Sequence, residues 1–306
     1  VVVVGGGPGG MEAARVAAER GHRVTLLERA NHLGGTARFS SLTTPLNGDL
    51  VRWMAAALAE AGVEVRTATT ATPTMVAALR PDAVVVATGA VRDRPNVPGV
   101  DLPHVLSGDD LRSLLTGEGG ATDQRSGPLV RLALTVARAL GMTTDMDRVR
   151  ALSRRWMPIG RRVVVVGGGL VGTELAEFLV ERGRSVTVLE EGDDLATEMA
   201  HPRRWRALHE ARAHGVDFRT GTRLVAVTAD EVIAHTAATD EKDGDEVRFG
   251  ADSVLLAGSV QPDSSLAGAI RTGIGGDVEV HVVGDAGTVG YIEGAIRSGY
   301  EVGVGL

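Results

Sequence analysis

The chain has 306 residues, enough for two domains of about 150 residues each. It is 43% hydrophobic and 23% charged, as globular proteins are, and its net charge of −7 lacks the basic surplus that a general nucleic-acid binder needs. No apolar run approaches the ~20 residues that span a bilayer, and the absence of cysteine excludes disulfides, a Cys-x-x-Cys redox pair and an iron–sulfur cluster ligated from within the chain.

A cytoplasmic protein fits the missing cysteines. The sequence begins at Val1, inside an apolar run, with neither methionine nor signal peptide. The expectation is a trimmed start with more chain before it.

Residues 1–4 are all valine, the signature of a strand buried on both faces of a parallel sheet. A helix follows Gly10, turning Met11, Ala14, Val16 and Ala17 toward that sheet. Gly21 ends it, and 24–27 is a second strand. Right-handed crossover makes the whole a βαβ unit. A helix over 48–61 and strands at 63–65 and 82–87 follow, the last running into Thr88-Gly89-Ala90. Residues 91–106 are proline-rich and read as a crossover. The polar, glycine-rich stretch 117–128 predicts low order, and helical patterns cover 129–140 and 145–156. A second βαβ unit opens at Arg162. Short strands at 217–219, 223–228, 232–235 and 247–249 predict an antiparallel addition with a turn at Asp243-Gly244. Residues 253–257 form another buried strand. A last strand, 278–283, leads into Gly284-Asp285 and a closing helix from Tyr291. Too little chain remains there for a third domain, so this strand is expected to return to the first sheet.

The two βαβ units are copies of one pattern. VVVVGGGPGGMEAARVAAERGHRVTLLE ends at Glu28, and VVVVGGGLVGTELAEFLVERGRSVTVLE ends at Glu190. Gly5, Gly7, Gly10, Glu12 and Glu28 each recur 162 positions later, as Gly167, Gly169, Gly172, Glu174 and Glu190, with no gap. In Gly-x-Gly-x-x-Gly after a strand, the first glycine permits a tight turn and the second lets backbone approach a pyrophosphate. The third allows close helix–strand packing, and the helix N-terminus faces the phosphates. The backbone at Gly5, Gly7, Pro8, Gly9 and Gly10 then lines one phosphate site. Gly167, Gly169, Leu170, Val171 and Gly172 line the other. Glu28 and Glu190 either accept the hydroxyls of an adenosine ribose or are solvated acids at strand ends. At the second site Glu190 repels a 2′-phosphate, which predicts NADH over NADPH. Glu174 is a weak candidate beside the nicotinamide, or a first-turn acid that favours the helix dipole. The eight histidines show no metal-ligand spacing, and His201, His209 and His214 fall on a surface helix and its end. No metal site is expected. Trp53, Trp156 and Trp205 read as helix packing.

The glycine motif, Leu33-Gly34-Gly35, the run from Val85 to Ala90, Val283-Gly284-Asp285 and the closing IEGAIRSGYEVG carry a family resemblance. The chain resembles the two-dinucleotide-fold flavoproteins that include glutathione reductase. Within them it most resembles the C-terminal FAD/NAD(P)-binding half of the NADH:flavin oxidoreductases, the family of 2,4-dienoyl-CoA reductase, trimethylamine dehydrogenase and the old-yellow-enzyme fusions. The match covers nearly the whole chain apart from about 117–160.

The resemblance implies an α/β fold of two Rossmann-like dinucleotide-binding domains, the second inserted in the first. An FAD-binding domain would comprise 1–106 and 262–306, and an NAD(H)-binding domain 107–261, with 117–160 a helical insertion. Gly34, Gly35 and Thr36 would line the FAD pyrophosphate. Ala87, Thr88 and Gly89 would pass close to the flavin, Gly284 and Asp285 would meet the ribityl chain, and the helix start at Ile292 would face the flavin's pyrimidine edge. Hydride would pass from NADH to FAD without an acid–base residue, so no catalytic residue is named. Electrons would then reach FMN through a 4Fe-4S cluster in an N-terminal TIM-barrel domain or subunit, which reduces an enone or enoyl-type substrate or oxidises an amine. The rival readings are an ADP- or FAD-binding scaffold without turnover, and a free-standing NADH-dependent reductase of a ferredoxin-type carrier. The final substrate and oligomeric state lie outside the sequence.

Overall fold

A computed structural model describes residues 1–116, 145–237, 244–274 and 278–306. The expected helix over 129–140, the polar stretch 117–128 and Asp243 of the expected turn lie outside the described residues. The chain divides into two compact units. One combines Val1–Val91 with Val260–Leu306, and the other is Arg92–Ser259. The second unit therefore interrupts the first in sequence.

The first unit is built on a parallel sheet of β1 (Val2–Val4), β2 (Thr25–Leu27), β3 (Glu64–Arg66), β4 (Ala83–Val86) and β15 (Glu279–Val282). Their order is β15-β4-β1-β2-β3. The late strand does return to this sheet, as its position required. The valine runs are buried because both faces are covered. Val3 and Val85 join Met11, Ala14 and Ala17 of helix Pro8–Glu19 and Met54 and Leu58 of helix Leu46–Glu60. Val2, Val4, Val84 and Val86 join Val76, Ala267 and Ile270 on the opposite side. Each valine, leucine, isoleucine or methionine among them contributes roughly 1.5–3 kcal/mol by leaving water. The first helix starts at Pro8, with Gly7 as N-cap, rather than after Gly10. Proline's fixed φ and missing N–H suit the first helical position. The closing helix, Tyr291–Gly305, lies directly on it. A Cβ at Gly299 would overlap the Gly9 carbonyl, and one at Gly303 would lie 2.8 Å from Val16 Cβ.

The second unit has its own parallel sheet of β6 (Val105–Ser107), β7 (Arg162–Val166), β8 (Ser185–Leu189), β9 (Asp217–Arg219) and β13 (Ser253–Leu256), in the order β6-β13-β7-β8-β9. An antiparallel sheet of β10 (Thr222–Val227), β11 (Glu231–Thr236) and β12 (Glu246–Gly250) packs on it through Leu224, Val227, Val232 and Ala234. The units separate at 91/92 and 259/260, not at 106/107 and 261/262. The physical reason is that 92–106 is not a bare crossover. Val97, Val100 and Leu102 pack on the second unit's core, and β6 is its edge strand. β5 (Ala90–Arg92) and β14 (Val260–Pro262) form a two-stranded sheet of their own.

Of the stretch 117–160, the described part holds helix Met146–Ser153, capped by Asp145, which accepts from the N–H groups of Asp147 and Arg148. Arg182 pins it. Its buried guanidinium donates to Ser153 Oγ at 2.8 Å and to the Phe178 carbonyl at 2.7 Å, and lies 3.4 Å from the Phe178 ring centroid. Burial pushes the guanidinium pKa down. The tryptophans depart from expectation. Trp53, Trp156 and Trp205 are all more than half exposed, and Trp205 stacks on His209 with ring centroids 5.3 Å apart. Trp53 and Trp205 lie on helices Leu46–Glu60 and His201–Ala213, and Trp156 lies beyond the end of helix Met146–Ser153, which stops short of the expected 156.

Candidate dinucleotide sites

The first site forms where β1 ends. Gly5 turns the chain with φ of +110°, and a Cβ there would overlap the Ala87 carbonyl oxygen. Gly10 is closer still, since a Cβ would coincide with the Gly5 carbonyl. Both glycines are thus required by the protein's own backbone. Gly7 is different. Its φ is −76°, open to any residue, and a Cβ would meet nothing within 4 Å. Nothing within the protein requires glycine there, and its open face leaves room for the close approach that a pyrophosphate demands. The 33–36 segment folds over the same point. Gly34 donates to the Gly6 carbonyl at 2.8 Å, and a Cβ at Gly35 would sit 3.1 Å from Gly7 Cα.

Glu28 is 8% exposed, and its carboxylate accepts from the N–H of Gly6 at 2.6 Å and from the N–H of Ala30 at 2.7 Å. It is therefore not a solvated strand-end acid. A carboxylate has room for about four acceptor bonds, so ribose hydroxyls can still be received. Thr36 and Thr88 are exposed beside this site's loops, and Gly89 has a φ of +79°. Across the sheet, Asp285 Oδ1 accepts from the N–H of Gly290 at 2.9 Å and of Tyr291 at 3.1 Å. It holds the start of the closing helix, where Tyr291 takes the left-handed φ of 55° and Ile292 follows. Gly284 donates to Ser298 Oγ at 2.8 Å. Gly9 is taken up by helix packing, with a Cβ 3.0 Å from the Ala295 carbonyl.

The second site repeats this construction. Gly167 has a φ of +107°, and a Cβ would lie 2.7 Å from the Ala257 carbonyl; at Gly172 it would overlap the Gly167 carbonyl. Glu190 accepts from the N–H of Gly168 at 2.7 Å and of Gly192 at 2.9 Å. Helix Leu170–Val180 starts after Gly169, with Val171 exposed in its first turn. Glu174 forms an ion pair with Arg203. Its counterpart Glu12 pairs with Arg15 at 2.7 Å. Sequence reasoning missed Arg203, the two glycine N–H donors Gly6 and Gly168, and Glu198. Glu198 accepts from the N–H of Leu170 at 3.1 Å. Among the described residues, no group of three or more His, Asp or Glu could hold a metal ion, and no helix is long and apolar enough to cross a membrane.

Residues 1–283 match the family model described as pyridine nucleotide-disulphide oxidoreductase. The chain belongs to that family. As a member it is an NAD(P)H-dependent flavin oxidoreductase with FAD and NAD(H) as cofactors. The open face of Gly7 and the paired acids Glu28 and Glu190 fit two such dinucleotides. The chain is 33% identical over 305 residues to an NADH oxidase of Thermoanaerobacter brockii, covering 99% of this chain and 40% of that protein. It is 32% identical over 304 residues to a bilirubin reductase of Mediterraneibacter gnavus, covering 98% of this chain and 40% of that one. A solved structure of 2-naphthoyl-CoA reductase with 2-naphthoyl-CoA superposes on it with a TM-score of 0.78 at 27% identity, over 100% of this chain and 39% of the other. The resemblance to the FAD/NAD(P)-binding half of the NADH:flavin oxidoreductases is thereby borne out.

Proposed function

We propose that this chain is the FAD and NADH module of a larger flavoenzyme. When bound, the two cofactors supply hydride transfer from dihydronicotinamide to flavin. The chain's own residues bind and orient. The first site, Gly5 to Gly10 with Gly34, Gly35, Thr36 and Glu28, takes the adenosine diphosphate part of FAD. Ala87, Thr88, Gly89 and Asp285 would lie along the rest of that molecule, and the start of the closing helix at Ile292 would face its pyrimidine edge. The second site, Gly167 to Gly172 with Glu190, takes NADH. Glu190 already carries two backbone N–H bonds, and an added 2′-phosphate would meet its charge.

Electrons then pass to an FMN and iron–sulfur barrel, fused or separate, where an enone or enoyl-type substrate is reduced or an amine oxidised. This chain spans 40% of the relatives' length, which leaves room for such a domain. Relatives are named for reduction, of bilirubin and of 2-naphthoyl-CoA, and for dehydrogenation, of N,N-dimethylglycine and sarcosine, which matches the two directions. The observation that carries the module reading is the twin construction itself, two glycine turns each tied to a carboxylate through a glycine N–H. Anaerobic rapid mixing of the yellow protein with NADH and with NADPH tests it. The flavin absorbance bleaches rapidly with NADH and slowly with NADPH. A colourless protein that takes up no FAD, or faster bleaching by NADPH, overturns the reading.

A further inference from the structure

The pseudo-repeat runs past the second strand. Leu33 corresponds to Leu195, Gly34 to Ala196, Gly35 to Thr197 and Thr36 to Glu198, at the same separation of 162 positions. The structure repeats with it. A Cβ at Gly6 would lie 2.5 Å from Leu33 Cδ2, and a Cβ at Gly168 2.5 Å from Leu195 Cδ2. Gly34 donates to the Gly6 carbonyl at 2.8 Å, and Ala196 to the Gly168 carbonyl at 2.8 Å. Ala196 takes the left-handed backbone of Gly34, with φ of 49°, although it is not glycine. The two sites differ at the next step. The first presents Thr36 and leaves the space over Gly7 open. At the second, Glu198 Oε2 accepts from the N–H of Leu170, and a Cβ on Gly169 would lie 2.7 Å from Glu198 Oε1.

We infer that Glu198 sets the affinity of the second site for NAD(H) by occupying the position of the dinucleotide's diphosphate. The inference rests on the reading that this site takes NAD(H). A carboxylate over the second glycine, bonded to the first free N–H of the following helix, has the charge and the partners of a phosphate oxygen. Binding a diphosphate there exchanges one charge-assisted bond for others and moves the acid aside. If the acid stays near, two like charges face each other. Either route costs affinity. Glu198 therefore keeps the site's helix start satisfied between turnovers and keeps nucleotide binding weak enough to release.

Glu198→Gln tests this, because the amide oxygen can still accept from Leu170 while the charge is gone. Calorimetry on the oxidised holoprotein with NAD⁺, ADP-ribose and adenosine separates the outcomes. The variant is expected to bind NAD⁺ and ADP-ribose about tenfold tighter, with adenosine unchanged because it has no diphosphate. Glu198→Ala repeats the gain if charge is the cause. Equal or weaker NAD⁺ binding in both variants, with wild-type binding intact, overturns the inference and leaves the NAD(H) reading standing. No NAD⁺ or ADP-ribose binding by any of the proteins removes that reading, and this inference with it. Circular dichroism melting establishes that each variant is folded.

Discussion

Gly7→Ala separates what the fold needs from what the ligand needs. At Gly5 and Gly10 an added Cβ strikes backbone of the protein itself, but at Gly7 it enters open space from an ordinary φ of −76°. Two small terms act on stability. Alanine restricts the unfolded chain, which stabilises by about 0.4–1 kcal/mol. Alanine is also a poorer N-cap than glycine, which costs a comparable fraction of about 1 kcal/mol. They nearly cancel, so the flavin-free variant should melt within about 2 °C of wild type. The ligand feels the change differently, because the methyl group stands where backbone and pyrophosphate must approach. Loss of FAD affinity by about a hundredfold, or about 2.8 kcal/mol, is expected. Flavin fluorescence titration of the reconstituted protein measures the second quantity, and circular dichroism of the flavin-free protein the first. A variant that holds FAD as wild type does would place the pyrophosphate elsewhere. A variant that melts far below wild type would show that Gly7 is a structural glycine after all.

Gly10→Ala should behave in the opposite way, lowering the melting temperature of the flavin-free protein because its Cβ coincides with the Gly5 carbonyl; overpacking of this kind costs about 1–3 kcal/mol or more, and an unchanged melting temperature would contradict the packing. Glu190→Gln keeps an acceptor for one of its two glycine N–H donors but removes the charge. The ratio of NADPH to NADH dissociation constants should fall about tenfold, about 1.4 kcal/mol, and an unchanged ratio assigns the preference to another group. Arg182→Ala empties a buried volume and removes the N–H donors to Ser153 Oγ and the Phe178 carbonyl. Denaturant unfolding should register a loss of about 2–4 kcal/mol, whereas Arg182→Met, which fills the space without a charge to desolvate, should recover much of it.

The central strands of the parallel sheets were legible because they are buried on both faces. A run such as 83–86 admits no polar residue, so composition alone marks it. The return of β15 followed from chain length and needed no pattern. β5, β6 and β14 were not legible. Each has three residues, too few for a period, and the first two flank or lie in a proline-rich stretch that reads as loop. The error of placing 92–106 with the first unit follows directly, since the segment's unit shows only in tertiary contacts, the pairing of β6 with β13 and the packing of Val97, Val100 and Leu102. The tryptophans misled for another reason. Aromatic residues on helices are good evidence of burial on average, but Trp53 and Trp205 occupy exposed helix positions and Trp156 falls after its helix has ended.

At the sites, the residues that sequence revealed are those whose role is fixed by local backbone. Gly5, Gly10, Gly167 and Gly172 are needed wherever a strand turns this tightly into a helix, whether or not a nucleotide follows. What distinguishes the two copies lies beyond the motif. Glu198 reaches Leu170 across 28 positions of chain, a contact that only the fold can make. The register of the repeat nevertheless pointed to it, because Leu33 and Leu195 fill the same space over the second residue of each glycine turn. An internal duplication is thus a control experiment within one molecule: the glycine turns and their carboxylates are common to both copies, and Thr36 against Glu198 is a position where the copies differ in charge. By the inference drawn for Glu198, selectivity between the two cofactors would sit less in the glycine motif than in the segment after the acid, where the space over Gly7 is open and that over Gly169 holds the Glu198 carboxylate.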